Sequence, residues 1–189
     1  MEPGQVIVLN GTPRSGKSSI AAEIQATFDD TWVNLGVDHS IATTPTQFRP
    51  GIGLRPGHER PDLEPIVAAL YRALYGSIVV HAKEGISVVV DVGHHQYFSL
   101  GEAARILSGT TAWLVGVRCP VDTVMARRQE TGMVAPREMV ERWEREVHRP
   151  GVYDLEVDTS VLSSQECAEE IRGLLGGEPE AFQRLGKGQ

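Results

Sequence analysis

Val6-Ile7-Val8-Leu9-Asn10-Gly11-Thr12-Pro13-Arg14-Ser15-Gly16-Lys17-Ser18-Ser19 is the stretch from which the rest of the chain is read. Four strand-forming residues, Val6 to Leu9, run into Gly11, and residues 11–18 spell G-x-x-x-x-G-K-S. This is the pattern of a phosphate-binding loop. Gly11 and Gly16 allow backbone conformations that a Cβ obstructs. Successive backbone N–H groups then point inward and cradle an anion. The cradle is expected from Gly11, Thr12, Pro13, Arg14, Ser15, Gly16, Lys17, Ser18 and Ser19. A helix opening at the loop turns its positive dipole end toward the anion. In such a loop the lysine, here Lys17, reaches the β- and γ-phosphates of a nucleotide, and the hydroxyl of Ser18 ligates Mg2+.

The context agrees with the motif. A helix over 16–28 places Ile20, Ile24 and Phe28 on one face. Residues 31–36 read as a second strand, closing at Gly36-Val37-Asp38. In an open α/β sheet the carboxyl ends of the strands face the ligand crevice, so Asp38 falls where chemistry is expected. Ile86 to Val90 is a β-branched strand that ends in Asp91. An apolar strand ending in an acid, downstream of a phosphate loop, is the Walker B arrangement, whose carboxylate holds Mg2+ directly or through water. Gly93-His94-His95 follows; adjacent histidines do not suit one zinc ion, and they read as neutral crevice or loop residues.

Between these elements the chain alternates helix and strand. Residues 39–60 are rich in Pro, Gly, Thr, His and Arg, with Arg49-Pro50-Gly51 echoed at Arg55-Pro56-Gly57. Together with a helix over 61–83 they form an acceptor-side insertion, 39–84. Tyr71 and Tyr75, four apart on that helix, read as packing residues, with substrate stacking as the alternative. Helices follow at 98–107, 121–130 and 137–148, with a strand at 110–117 and a crossover at 131–136. Arg127 and Arg128 close the second of these helices, and 127–148 is read as an arginine-bearing lid. A fifth short strand carries Leu155 and Val157. Ser163 and Glu166 form a capping box for the last helix, and 176–189 reads as a polar, frayed tail. The expectation is one α/β domain over 1–189: a P-loop kinase-like three-layer sandwich on a mainly parallel five-stranded sheet.

Bulk properties narrow the function. Lys plus Arg number 18 against 25 Asp plus Glu, a net charge of −7, which disfavours a nucleic-acid partner. Cys119 and Cys167 match no metal spacing. The N-terminus has no basic region followed by a long apolar core, and no apolar run approaches the ~20 residues that span a bilayer. A cytoplasmic protein without membrane contact is expected; a homo-oligomer stays open. There is no N-K-x-D motif for reading guanine, which argues against a GTPase. The plan left is that of a small-molecule kinase, whose lid neutralises charge on the transferring phosphoryl group and excludes water.

Gly36-Val37-Asp38, Gly116-Val117-Arg118-Cys119, Val147-His148 and Tyr153-Asp154-Leu155-Glu156-Val157-Asp158-Thr159-Ser160 occur in this order around the Gly-Lys-Ser loop. On these motifs the chain resembles the chloramphenicol phosphotransferase-like family over most of its length. The resemblance implies ATP- and Mg2+-dependent phosphorylation of a hydroxyl on a small molecule, often an antibiotic. It puts the general base on Asp38, the phosphate-loop residues on Gly11 and Gly16 to Ser18, and the lid arginines on Arg127 and Arg128. Arg127 stacking on adenine is a second role, with Thr159 and Ser160 as adenine neighbours. Where the family carries an RGDR-type stretch this chain reads QETGMVAPRE, so Arg128 or Arg137 supplies the second lid arginine. The rival readings are a metabolite or sugar-nucleotide kinase of the gluconate, shikimate or zeta-toxin type, and a non-catalytic nucleotide-binding regulator.

Overall fold

The computed structural model describes residues 2–48, 60–94, 98–132, 134–149 and 151–187; the side chains of Asp38, Ser40 and Ile41 lie outside that description. The strands are β1 (Val6–Asn10), β2 (Trp32–Asn34), β3 (Ser87–Val92), β4 (Ala112–Arg118) and β5 (Leu155–Asp158). They form one sheet in the order β2-β3-β1-β4-β5, with every neighbouring pair parallel. The helices are α1 (Lys17–Thr27), α2 (Val37–Thr43), α3 (Glu64–Lys83), α4 (Leu100–Ile106), α5 (Val121–Glu130), α6 (Arg137–Val147), α7 (Ser164–Arg172) and α8 (Ala181–Lys187).

Parallel strands need both faces covered, and their side chains alternate between those faces. Ile7 and Leu9 of β1 point to a cluster with Ile20, Ile24, Val115, Val117, Cys167 and Ile171, which brings α1 and α7 onto one face. Val6 and Val8 point to the other, with Val67, Tyr71, Tyr75, Val88, Val90 and Leu114, under α3, α4 and α8. The result is the three-layer α/β sandwich that the strand–helix alternation predicts. Ile20 and Ile24 are fully buried; truncating either to alanine costs about 2–5 kcal/mol. A third, small cluster of Cys119, Val124, Ala135 and Val140 joins α5 to α6, making an arm of residues 121–147.

The structure departs from the sequence reading in several places. β2 stops at Asn34, and Asp38 lies in the first turn of α2, four residues beyond the strand. The Asn34 side chain accepts a hydrogen bond from the Gly36 N–H at 2.8 Å, which turns the chain out of the strand. α2 runs from Val37 into the Pro- and Gly-rich stretch 39–60 as far as Thr43, and residues 46–48 form a helical turn. The arginine repeats at 49–51 and 55–57 and His95 lie outside the described residues. The helix expected from Phe98 starts at Leu100, because Ser99 and Glu102 make a reciprocal capping box. The box predicted at Ser163 and Glu166 is present.

The largest difference is at the tail. Residues 181–187 are not frayed but form α8, which buries Ala181, Phe182 and Leu185 in the core. Its first N–H groups are capped from a distance: Asp154 Oδ1 accepts from Glu180 N at 2.7 Å and Ala181 N at 2.9 Å. Asp154 Oδ2 accepts from Leu114 N, tying this cap to β4. The segment 61–83 is long and apolar enough to cross a bilayer by length and composition, against the reading of the sequence. In the fold its Val67, Tyr71, Tyr75 and Ile78 are buried in the core.

Candidate active site

The crevice lies at the carboxyl ends of β1, β3 and β4. Gly11 leaves β1 with no room for a side chain: a Cβ there would sit 2.4 Å from the Val117 carbonyl oxygen. Pro13 and Arg14 make a turn, with Arg14 at φ 74° and Gly16 at φ 97°. Both are left-handed conformations, natural for glycine and uncommon for arginine. Ser15 is fully buried, whereas Ser18 and Ser19 are exposed at the start of α1. Lys17 folds back over the loop, its Nζ donating to the Thr12 carbonyl at 2.7 Å. Thr12 Oγ1 is buried with no hydrogen-bond partner among the described residues. A buried donor left this way implies a partner yet to arrive. A buried ammonium, an orphan hydroxyl and a left-handed glycine turn together suit a polyphosphate.

Ser18 Oγ donates to Asp91 Oδ2 at 2.5 Å, although the two residues are 73 apart in sequence. The parallel register sets this up, because Asp91 is paired with Leu9, two residues before the loop. A hydroxyl and a carboxylate this close form a hard-oxygen pair of the kind Mg2+ takes. Gly36 abuts the same carboxylate. A Cβ on it would collide with Asp91 Oδ1, so only glycine lets the β2–α2 backbone come this near. Asp38 follows two residues later.

Arg127 is held against the loop from the other side. Its Nη1 donates to the Arg14 carbonyl at 3.3 Å and Thr159 Oγ1 at 3.0 Å, and its Nη2 donates to the Thr159 carbonyl at 2.7 Å. Thr159 Oγ1 in turn donates to the Ser15 carbonyl at 2.7 Å. Cys119 sits beside Arg127, its thiol pushed up by burial and free of any disulfide. Arg128, the next residue of α5, is buried. Ser160 spends its N–H and Oγ on Asp158 Oδ1 and faces solvent. Arg137 pairs with Asp122 and Glu141 on the arm surface. Loop, Ser18, Asp91, Arg127 and Thr159 are thus brought together, whereas the Arg137 and Ser160 side chains bond elsewhere.

Four residues of this region form a network whose membership no local pattern gives, and Asn10 among them drew no reading of its own. Asn10 and Tyr153 bond each other and reach His94 and His148. His94 is buried against Tyr75, whose hydroxyl is 2.7 Å from Nε2, while Nδ1 faces the Phe98 carbonyl at 3.1 Å. Burial lowers its pKa from 6.5 to about 4, so it is neutral. Tyr71 and Tyr75 stack on Phe98 in the core.

A family model described as chloramphenicol phosphotransferase-like protein matches residues 4–175. The chain is 27% identical over 207 residues to "Putative O-phosphotransferase Rv2636" of Mycobacterium tuberculosis (strain ATCC 25618 / H37Rv), covering 99% of this chain and 90% of that one. Among solved structures it is similar to the M. tuberculosis APS kinase CysC in complex with AMPPNP and APS, with TM-score 0.67 and 17% identity over 93% of this chain and 99% of that one. It is also similar to shikimate kinase from Acinetobacter baumannii in complex with shikimate, with TM-score 0.59 and 14% identity over 93% of each chain. The sheet order, the loop and a match spanning nearly the whole chain converge: this protein belongs to the chloramphenicol phosphotransferase-like family, and is a phosphotransferase with the architecture of the P-loop kinases.

Proposed function

We propose that the protein transfers the γ-phosphoryl group of ATP to a hydroxyl of a small molecule, in the first place an antibiotic-like natural product. One observation carries the reading: the Ser18–Asp91 pair stands at the end of the phosphate loop, and Gly36, two residues before Asp38, packs on it. Ser18 and Asp91 would hold Mg2+, which when bound would supply charge neutralisation at the phosphates. The chain's own residues do the rest. Thr12 and the loop N–H groups hold the phosphates, and Lys17 turns from the Thr12 carbonyl to the transferring group. Asp38 orients the acceptor hydroxyl and takes its proton late in a loose transition state, which needs no raised pKa. Arg127 braces the arm on the loop and offers its flat guanidinium to adenine beside Thr159. Charge on the phosphoryl group is left to Lys17 and, once the arm moves, to Arg128.

The test is a panel of hydroxylated antibiotics and metabolites incubated with ATP and Mg2+, read by mass spectrometry for a gain of one phosphoryl group. An antibiotic product supports the first reading. Transfer to a polyol or sugar acid alone supports the second, a metabolite kinase, which the likeness to shikimate kinase favours. Asp38→Asn is expected to abolish transfer while AMPPNP binding stays within about two-fold of wild type. Transfer by that variant near the wild-type rate overturns the base assignment.

A further inference from the structure

Asn10 is the last residue of β1, next to Gly11, and has no solvent exposure. Its side chain reaches three other segments. Nδ2 donates to the Val147 carbonyl at 2.7 Å and to the Tyr153 hydroxyl at 2.9 Å; Oδ1 accepts from the His94 N–H at 3.0 Å. The orientation of the amide is fixed by these partners. Turned over, it would set oxygen against the Val147 carbonyl and nitrogen against the His94 N–H. Val147 ends α6, the second helix of the arm. His94 lies three residues past Asp91.

The network continues outward. The Tyr153 ring lies flat on Gly116 of β4, where a Cβ would be 2.9 Å from its carbons. Its hydroxyl is 2.7 Å from His148 Nδ1. Having accepted from Asn10, the hydroxyl has its one proton to give to Nδ1. Donors thus point one way, from the strand that carries the loop into the arm helix. Arg127, near the end of α5, also holds the arm to the loop, at Arg14.

Resting on the phosphotransferase reading, we infer that Asn10 is a positioning residue: it couples the phosphate loop to the root of the arm, so that occupation of the loop sets how α5 and α6 sit. It touches no reacting atom itself. Buried polar networks fix one arrangement better than an apolar patch of the same size. A shift of Gly11 moves Asn10, and Asn10 moves Val147.

The test compares full-length wild type with Asn10→Ala and Tyr153→Phe; the latter removes one hydroxyl and carries the test should Asn10→Ala fail to fold. Hydrogen exchange of residues 137–147 is measured with and without AMPPNP, beside AMPPNP affinity and the kcat and KM for an acceptor found by the panel. In wild type, AMPPNP is expected to slow exchange there. In the variants the affinity is expected to stay within about three-fold and the acceptor KM to hold, while kcat falls about ten-fold and the protection disappears. Unchanged protection and kcat in a folded variant overturn the inference. So does a parallel loss of melting temperature, affinity and kcat, which is what a merely structural role gives, and so does a wild type whose arm ignores bound AMPPNP. A wild type that binds AMPPNP but phosphorylates no acceptor overturns the phosphotransferase reading instead, and the exchange data still decide the coupling.

Discussion

The phosphate loop and the root of the arm do comparable jobs by opposite means. The loop is contiguous: residues 11–18 supply its glycine turn, its buried lysine and its orphan hydroxyl. The root of the arm is assembled from Asn10, His94, Val147 and Tyr153, four segments that only the finished fold brings together. A contiguous site places chemistry with few tertiary requirements. A distributed one places it conditionally and is therefore where adjustment between states can occur. Changes in the loop are expected to remove activity and spare the fold; changes at the root are expected to touch stability and coupling first.

The largest expected effect is at Lys17. Lys17→Ala removes the buried ammonium that caps the Thr12 carbonyl. Phosphoryl transfer should fall by about 10²–10³, or about 3–4 kcal/mol of transition-state stabilisation. The melting temperature should hold, since burying an ammonium contributes little net stability. Steady-state kinetics beside a thermal melt check this. A large fall in melting temperature with activity retained would erase the contrast between the two regions.

Next comes the distributed side, through His94. Its folded pKa of about 4 lies below its ordinary 6.5 because burial disfavours the cation. The unfolded chain therefore binds the proton first as pH falls. The stability that His94 contributes is complete above pH 6.5 and is lost progressively down to about 4. The loss amounts to about 3 kcal/mol at ~1.4 kcal/mol per pH unit. Urea denaturation at pH 7 and pH 4.5 should show this drop, and His94→Gln should flatten it. An equal drop in the variant assigns the acid sensitivity elsewhere.

These contrasts explain what could be read beforehand. The loop, Asp91 and the β–α alternation were legible because each is a local pattern: glycine spacing, a β-branched run, helical periodicity. Arg127 stood out in the sequence as a lid arginine; its contact with the Arg14 carbonyl did not, since that group lies 113 residues away. Asn10, between the strand and the loop, drew no reading of its own. The helix over 181–187 was hidden for the same reason. Only Phe182 and Leu185 mark its apolar face, and its N-terminal cap, Asp154, is 26 residues upstream. A helix capped from its own sequence, as at Ser163 and Glu166, announces itself; one capped across the fold does not.

A smaller effect is expected at the brace. Arg127→Ala frees the Arg14 and Thr159 carbonyls of their donors. These groups are partly exposed, so water replaces much of what is lost. AMPPNP affinity should weaken about ten-fold, or ~1.4 kcal/mol. Arg127→Lys should recover little, because one ammonium cannot span two carbonyls as the planar guanidinium does. Full rescue by lysine would mean that charge alone matters at this position.

The smallest effect, and the finest probe, is Thr159→Val. Thr159 Cγ2 lies 3.2 Å from where a Gly16 Cβ would be, so the methyl packs on the loop. Its hydroxyl gives its proton to the Ser15 carbonyl and accepts from Arg127. Valine keeps the shape and deletes both bonds, so any change reports hydrogen bonding rather than packing. Each such bond is worth about 1 kcal/mol net, and Arg127 Nη2 still holds the Thr159 carbonyl. Calorimetric AMPPNP affinity should therefore fall by only about five-fold, with kcat nearly unchanged. If kcat falls as far as in Lys17→Ala, the carbonyl of Ser15 belongs to the catalytic geometry, and the boundary between a contiguous loop and its distributed support has to be moved to include β5.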